Sequence, residues 1–220
     1  MKLAENLYAY PWTQPSANNC NTFLATGAVS MLVDPGHMQL FRHIEAGMSG
    51  DKISQLPGLV VVTHCHPDHI EAAVALQKAG VKLAMSAAEF DFMQGDGRKL
   101  AAAMGMNFPE INPEIFLDEG ELILGGEIFR VIPTPGHSPG HICLYWPRHK
   151  ALFAGDLVFA QGVGRVDFPG GDGELLKQSI IRVAKLELDW VLPGHGPVLN
   201  GSDSIERNFQ MIEQTYFEML

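Results

Sequence analysis

The sequence predicts an α/β (α+β) fold in which helices cover sheet. Short apolar β-prone runs alternate with amphipathic helical stretches in both halves of the chain. The 220 residues, 46% hydrophobic and 18% charged, can bury a full core and are not the composition of a disordered chain. No low-complexity tract, charge block or repeat interrupts them, so residues 1–220 are expected to form a single domain.

Taken in order, residues 21–25 and 29–33, separated by Thr26-Gly27, read as a hairpin. Residues 59–63 (LVVVT) are a continuous β-branched run, the pattern of a strand buried on both faces. Residues 68–79 read as a helix with Ile70, Ala73 and Val74 on one face and Gly80 at its C′ position. A strand at 81–85 and a helix at 87–93 follow. Residues 95–113, with three Gly and two Pro, read as an irregular excursion. Strands are expected at 122–124, 128–133, 142–146 and 151–154. A helix at 174–186 carries Leu176, Ile180 and Val183 at core spacing, and a strand follows at 189–192. The helix at 204–220 has a stripe of Ile205, Phe209, Ile212, Tyr216 and Met219, with Asp203 and Glu206 as a capping-box-like start.

Composition narrows the partners. Lys and Arg number 15 against 25 for Asp and Glu, a net charge of −10 with histidine neutral. That balance argues against nucleic acid and anionic membrane, whose binding needs basic surface. No apolar run approaches the ~20 residues of a membrane span, and the opening MKLAENLYAYPW lacks the pattern of a signal peptide. Three cysteines without a CxxC pair argue against a disulfide framework. The expectation is a cytoplasmic protein of undetermined oligomeric state.

Chemistry concentrates in Thr63-His64-Cys65-His66-Pro67-Asp68-His69, directly after the buried strand. Residues two apart on an extended segment project to the same side, so His64 and His66 can reach one point. Asp68 and His69 fall in the first turn of the next helix and can serve a neighbouring point. Imidazole nitrogen and carboxylate oxygen suit zinc, iron or manganese. The same residue types recur at Gly/Pro turns or after strands: His137 in PGHSPGH, Asp156 in FAGD and His195 in PGHGP. Alternation turns Cys65 away from the shared point, as a small packed residue. Cys20 and Cys143 read as buried small hydrophobes.

These motifs, in this order, resemble the metallo-β-lactamase superfamily from the first hairpin to Pro197. The resemblance implies a four-layer αββα sandwich with the metal site at one edge. It implies that His64, His66 and His137 hold one divalent metal ion, that Asp68, His69 and His195 hold a second, and that Asp156 bridges them. His141 has no ligand role in that pattern. Asp34 matches a strand-end Asp, either an acceptor for a ligand histidine or an Asp-Pro turn former. Two divalent cations against two carboxylates leave an excess positive charge that would hold a bridging hydroxide, by lowering the pKa of bound water from 15.7 to about 7. Asp68 and Asp156 are thus the candidate catalytic residues and zinc the first candidate metal, with iron or manganese as alternatives.

Within the superfamily the chain resembles short glyoxalase II-like proteins, which are hydroxyacylglutathione hydrolases acting on a small-molecule thioester. A persulfide dioxygenase with a single iron is the alternative, and a lactonase or esterase a further one. The HxHxDH-bearing tRNA-processing nucleases fit poorly with the net charge. Arg165, Asp167 and Phe168 match a GRxDF pattern shared by the first two branches. Full-length glyoxalases II add a helical C-terminal domain that helps bind glutathione, whereas residues 201–220 carry only Arg207 as a basic residue. The loop position at which those enzymes use Lys is Arg165, and their nearby Tyr is Asp167. Arg165 is therefore either a substrate-binding residue or a surface loop arginine or internal ion-pair partner of Asp167.

Overall fold

The computed structural model describes residues 1–105 and 107–220. Two sheets lie face to face with helices on both outer sides. The first takes its seven strands in chain order: β1 (Lys2–Ala4), β2 (Leu7–Tyr10), β3 (Thr22–Ala25), β4 (Met31–Val33), β5 (Leu59–Val61), β6 (Lys82–Ser86) and β7 (Ile115–Leu117). Strands β1 to β4 pair antiparallel and β4 to β7 parallel. The parallel crossovers contain α1 (Arg42–Gly50), then α2 (Pro67–Ile70) with α3 (Ala73–Lys78), then α4 (Ala87–Gln94) with α5 (Asp96–Ala103).

The second sheet begins as a meander of β8 (Gly120–Leu124), β9 (Glu127–Pro133), β10 (Ile142–Trp146) and β11 (Ala151–Gly155). A short ribbon of β12 (Val158–Phe159) and β13 (Gly162–Val163) stands apart from it. After α6 (Gly173–Val183), β14 (Trp190–Pro193) returns parallel to β11 and pairs with β15 (Leu199–Asn200). Helix α7 (Ser202–Tyr216) follows.

Alternation along the strands makes the layers. Met31 and Val33 face the second sheet with Phe23, Phe129, Trp146 and Phe153, while Leu32 between them packs outward with Ile44, Leu76 and Met93 from the helices. On the other side Cys143, Leu152 and Val191 meet Leu176, Ile180, Val183, Ile205 and Ile212 of α6 and α7. Both faces of the central strands are therefore apolar, as LVVVT requires. This is the expected αββα sandwich.

The structure corrects four local expectations. Residues 95–113 contain α5: the RKLAAA stretch consists of strong helix formers, and Gly97 is needed because a Cβ there would come within 2.6 Å of the Phe92 ring. The expected helix 68–79 is broken at Glu71-Ala72. The Ala72 N–H goes to the Gly36 carbonyl, and the Asp68 carbonyl accepts from Cys20, so two ladder groups bind loops instead of each other. Helix α7 starts from Gly201 at φ 89°, which places Asp203 and Glu206 inside it without a capping box. It ends at Tyr216, leaving Met219 exposed. The sequence reading also missed β1, β2, α1, β7, β12, β13 and β15.

Candidate metal centre

Five donors reach the edge of the sandwich from loops that follow strands, and Asp68 and His69 from the short helix behind one of them. The histidine loop leaves β5, with Pro67 as the first residue of α2 and Asp68 and His69 behind it. His137 lies in the turn between β9 and β10, Asp156 directly follows β11, and His195 follows β14. Gly155 makes the turn into Asp156 with φ 48°, and a Cβ there would lie 2.6 Å from both His141 Nε2 and Thr63 Oγ1.

The donors converge in overlapping sets. His137 Nε2 is 3.2 Å from His64 Nε2 and 2.9 Å from His66 Nδ1. His195 Nε2 is 3.2 Å from Asp68 Oδ2 and 3.4 Å from His69 Nε2. Asp156 lies between the two groups: Oδ1 is 3.2 Å from His69 Nε2, and Oδ2 is 3.4 Å from His195 Nε2 and 3.6 Å from His137 Nε2. His64, His66 and His137 form one set within metal-ligating reach, and Asp68, His69 and His195 another. His64, His69 and Asp156 form a third that joins them.

Outer partners orient the rings. Asp34, at φ 54°, accepts from His69 Nδ1–H at 2.9 Å and from the Thr63 hydroxyl at 2.8 Å. The Thr63 oxygen in turn accepts from His64 Nδ1–H at 3.0 Å. His137 Nδ1–H donates to the Arg165 carbonyl at 2.7 Å. In His64 and His137 the outer nitrogen carries the proton, so their Nε2 lone pairs face each other. Of the two readings of Asp34, the structure shows the hydrogen-bond acceptor for a histidine of the donor sets, His69.

A cation fits between these groups. The Nε2 lone pairs of His64 and His137, 3.2 Å apart, repel unless a positive centre joins them. Asp156 Oδ1 is buried without a hydrogen-bond partner, which is costly for a carboxylate unless a metal takes it. Electrostatics point the same way. Burial, reinforced by His69 and His137, holds His64 well below the usual imidazole range, and burial followed by His137 pushes His66 down to about 3. Both are neutral ligands in waiting. Burial works to raise the Asp156 carboxyl, yet His69 and His195 hold it well below the carboxylate range. Burial works to lower His195, yet hydrogen bonds to Asp156 and Asp68 and the Asp156 charge together bring it up to about 9. The two carboxylates thus demand positive charge at this point.

Three residues that the sequence reading passed over hold this arrangement. Glu89, fully buried, accepts from the Cys65 N–H at 2.8 Å and the Gly140 N–H at 2.7 Å, clamping the histidine loop to the His137 loop. Ser86 and Glu89 have capping-box spacing, but the carboxylate is diverted to the two loops. Asn21 donates to the carbonyls of Pro193 and Gly196 and so fixes the His195 turn. Asn18 donates to Asp68 Oδ2 at 2.7 Å. His141 remains outside the donor set, and Cys65, Cys20 and Cys143 are buried free thiols.

Asn18, Phe159, Val163, Arg165 and Phe168 wall a cleft of about 370 Å³ with donors at its floor. Arg165 lines it, but its guanidinium is paired with Asp167. A larger groove of about 680 Å³, lined by Ile180, Ile181, Phe209 and Phe217 of α6 and α7 and their surroundings, contains none of the donors. No helix among the described residues is long and apolar enough to cross a membrane.

A two-sheet sandwich with two His/Asp donor sets at its edge defines a class, the metal-binding hydrolases of αββα architecture. The sequence profile of the metallo-beta-lactamase superfamily matches residues 16–195. Hydroxyacylglutathione hydrolase GloC of Haemophilus influenzae is 34% identical over 188 residues, covering 81% of this chain and 85% of that protein. The di-iron-bound form of TTHA1623 superposes with a TM-score of 0.72 at 30% identity, over 96% of this chain and 99% of that one. The B3 metallo-beta-lactamase BLEG-1 shares the fold, with a TM-score of 0.76 at 24% identity over 96% and 99% of the two chains. The chain belongs to the metallo-beta-lactamase superfamily.

Proposed function

We propose that the protein is a dinuclear metal-dependent hydrolase of small-molecule thioesters, of the hydroxyacylglutathione hydrolase kind. The observation that carries this reading is the completeness of both donor sets around Asp156, at the floor of one open cleft. Similarity to the hydroxyacylglutathione hydrolase of Haemophilus influenzae supports the thioester class.

In this reading His64, His66 and His137 would hold one ion, Asp68, His69 and His195 would hold the other, and Asp156 would serve both. When bound, two divalent cations, with zinc first and iron or manganese as alternatives, supply an activated water and polarise the acyl carbonyl. Asp34, Thr63 and the Arg165 carbonyl keep the outer ring protons in place, so the donors stay pre-aligned. Asp68, with one oxygen held by Asn18, orients the attacking water. Asp156, buried and ionised, would supply the negative charge that both cations share. The aromatic edges of Phe159 and Phe168 limit water in the cleft beside His195 and His66. A thiolate leaving group, with a thiol pKa of ~8.5, departs without a general acid. Arg165 is the cleft's candidate contact for the thiol arm.

The experiment is hydrolysis of S-D-lactoylglutathione by protein whose metal content is counted on the same sample. Turnover with two metals per chain is expected. Two metals without turnover, together with activity on lactones or oxygen esters, would replace the thioester by those substrates. One iron per chain with oxygen uptake on glutathione persulfide would replace hydrolysis by dioxygenation.

A further inference from the structure

We propose that Asp167 is an internal competitor for the Arg165 guanidinium, setting the cleft against thiol arms that present a carboxylate there. The inference rests on the thioester reading and names the thiol arms the site disfavours.

Arg165 Nε donates to one Asp167 oxygen at 2.7 Å and a terminal nitrogen donates to the other at 2.6 Å. This is the side-on, two-bond geometry by which a guanidinium takes up a carboxylate. The same guanidinium lies over the Phe168 ring, 3.7 Å from its centroid, and the Phe168 ring meets His66 edge-on at 5.3 Å. Through its carbonyl, Arg165 also accepts from His137. Cation, ring and ligand histidines therefore form one continuous wall from the cleft mouth to its floor. The chain's own carboxylate takes the side-on edge of the guanidinium that a substrate carboxylate would use.

The charge consequence is direct. The bond from Arg165 holds the Asp167 carboxyl down to about 2, so it is ionised at any working pH. The pair is neutral together, and an anionic thiol arm must displace Asp167 or approach beside its charge. A neutral thiol arm meets no such opposition. Both side chains are more than half exposed, at 54% and 66%, so the latch is a weak one, of the size of an exposed ion pair. An exposed pair corresponds to a selectivity of about two- to fivefold. Because the side chains sit at the surface, their replacement leaves the core and the His137–Arg165 backbone contact in place.

The test compares kcat/KM for S-D-lactoylglutathione, which carries carboxylates, with that for neutral S-lactoyl-N-acetylcysteamine, at low salt. D167N is expected to raise the anionic-to-neutral ratio about two- to fivefold, through the KM of the glutathione thioester. R165Q added to D167N should abolish that gain, and so should high salt. A ratio in D167N that is unchanged or lower overturns the proposal. A gain that survives in the double variant also overturns it, since Asp167 would then act without Arg165. Failure of the two-metal parent to hydrolyse either thioester is a different result, and it removes the thioester reading itself.

Discussion

His141 Nε2 accepts a hydrogen bond from the backbone N–H of Asp156 at 3.1 Å. Its other nitrogen faces the Thr134 hydroxyl at 2.8 Å, so Nδ1 carries the proton. Burial, then His137, holds the ring well below the imidazole range, and it is neutral as this tautomer requires. A histidine outside the donor set thereby fixes the peptide from which the shared carboxylate projects. H141A strands the Asp156 N–H and opens a void. It is expected to cost about 3 kcal/mol, or roughly 6–12 °C in Tm. Metal affinity should fall about 10–100-fold, as for losses of outer-shell partners. Calorimetric unfolding and chelator competition read the two effects separately, and parental values in both would show that Asp156 needs no such support.

Gly194 abuts Asp156 Oδ1 and His69 Cε1 so closely that neither leaves room for a Cβ. Unlike Gly155, it has no positive φ to satisfy, so its replacement tests space alone. G194A should displace the shared carboxylate while leaving the sheets intact. The expected cost is about 1–3 kcal/mol of stability, with metal content below that of the parent after identical loading. Elemental analysis beside circular dichroism decides it: full metal content would mean the donors tolerate displacement.

Glu89 accepts one backbone N–H with each oxygen, across 24 residues to Cys65 and 51 to Gly140. A glutamine of the same shape must turn its NH₂ toward one of those donors. E89Q should therefore destabilise by about 1–3 kcal/mol although it removes a buried charge. Replacement that raises Tm would show instead that the desolvation of the carboxylate outweighs its two bonds.

The extent to which the sequence discloses this site depends on the range of each contact. The donors were legible because they follow strands, sit at Gly/Pro turns or, for Asp68 and His69, open the helix after a strand, and His64 and His66 share a side by alternation alone. Glu89 and Asn21 were not, since their partners are backbone groups 51 and 172 residues away that leave no local pattern. The apolar layers followed from runs such as LVVVT. The broken helix at Glu71-Ala72 did not, because the Gly36 and Cys20 backbone that opens it belongs to distant loops. Helix α5 was hidden by Gly97, whose packing against Phe92 looks in sequence like a helix breaker. For Arg165 the sequence offers two roles, and the structure shows both the Asp167 pairing and a place in the cleft lining.

The three thiols give a pH prediction. Burial pushes the Cys143 thiol up to about 12, and burial likewise raises Cys20 and Cys65 above the thiol range. At pH 8 a thiol reagent should find none of them in the native protein and three after denaturation. The sign for stability follows from linkage: unfolded thiols ionise near ~8.5, whereas the folded Cys143 keeps its proton to about 12. Its contribution is complete below the unfolded value and is lost as pH rises through the folded one. Urea midpoints should therefore decline progressively above about pH 9, and less in C143A, where this linkage is absent. Equal declines in parent and variant would assign the alkaline loss to other groups.

The joint position of Asp156 makes metal stoichiometry the sharpest discriminator among the donors. His66 contacts only the first set, His195 only the second, and Asp156 approaches both through its two oxygens. H66A and H195A should each retain close to one metal per chain, and D156A should retain neither firmly. The H195A loss should be the gentler on folding, because His195 is partly exposed on a turn held by Asn21, whereas His66 is buried. Chelation should lower the parental Tm by the binding energy of both ions and that of H66A or H195A by less. Elemental counts on dialysed variants, set beside their Tm shifts with chelator, measure this. Loss of both metals in H195A would mean that the two sets load as one unit, with the first unable to hold its ion without the second.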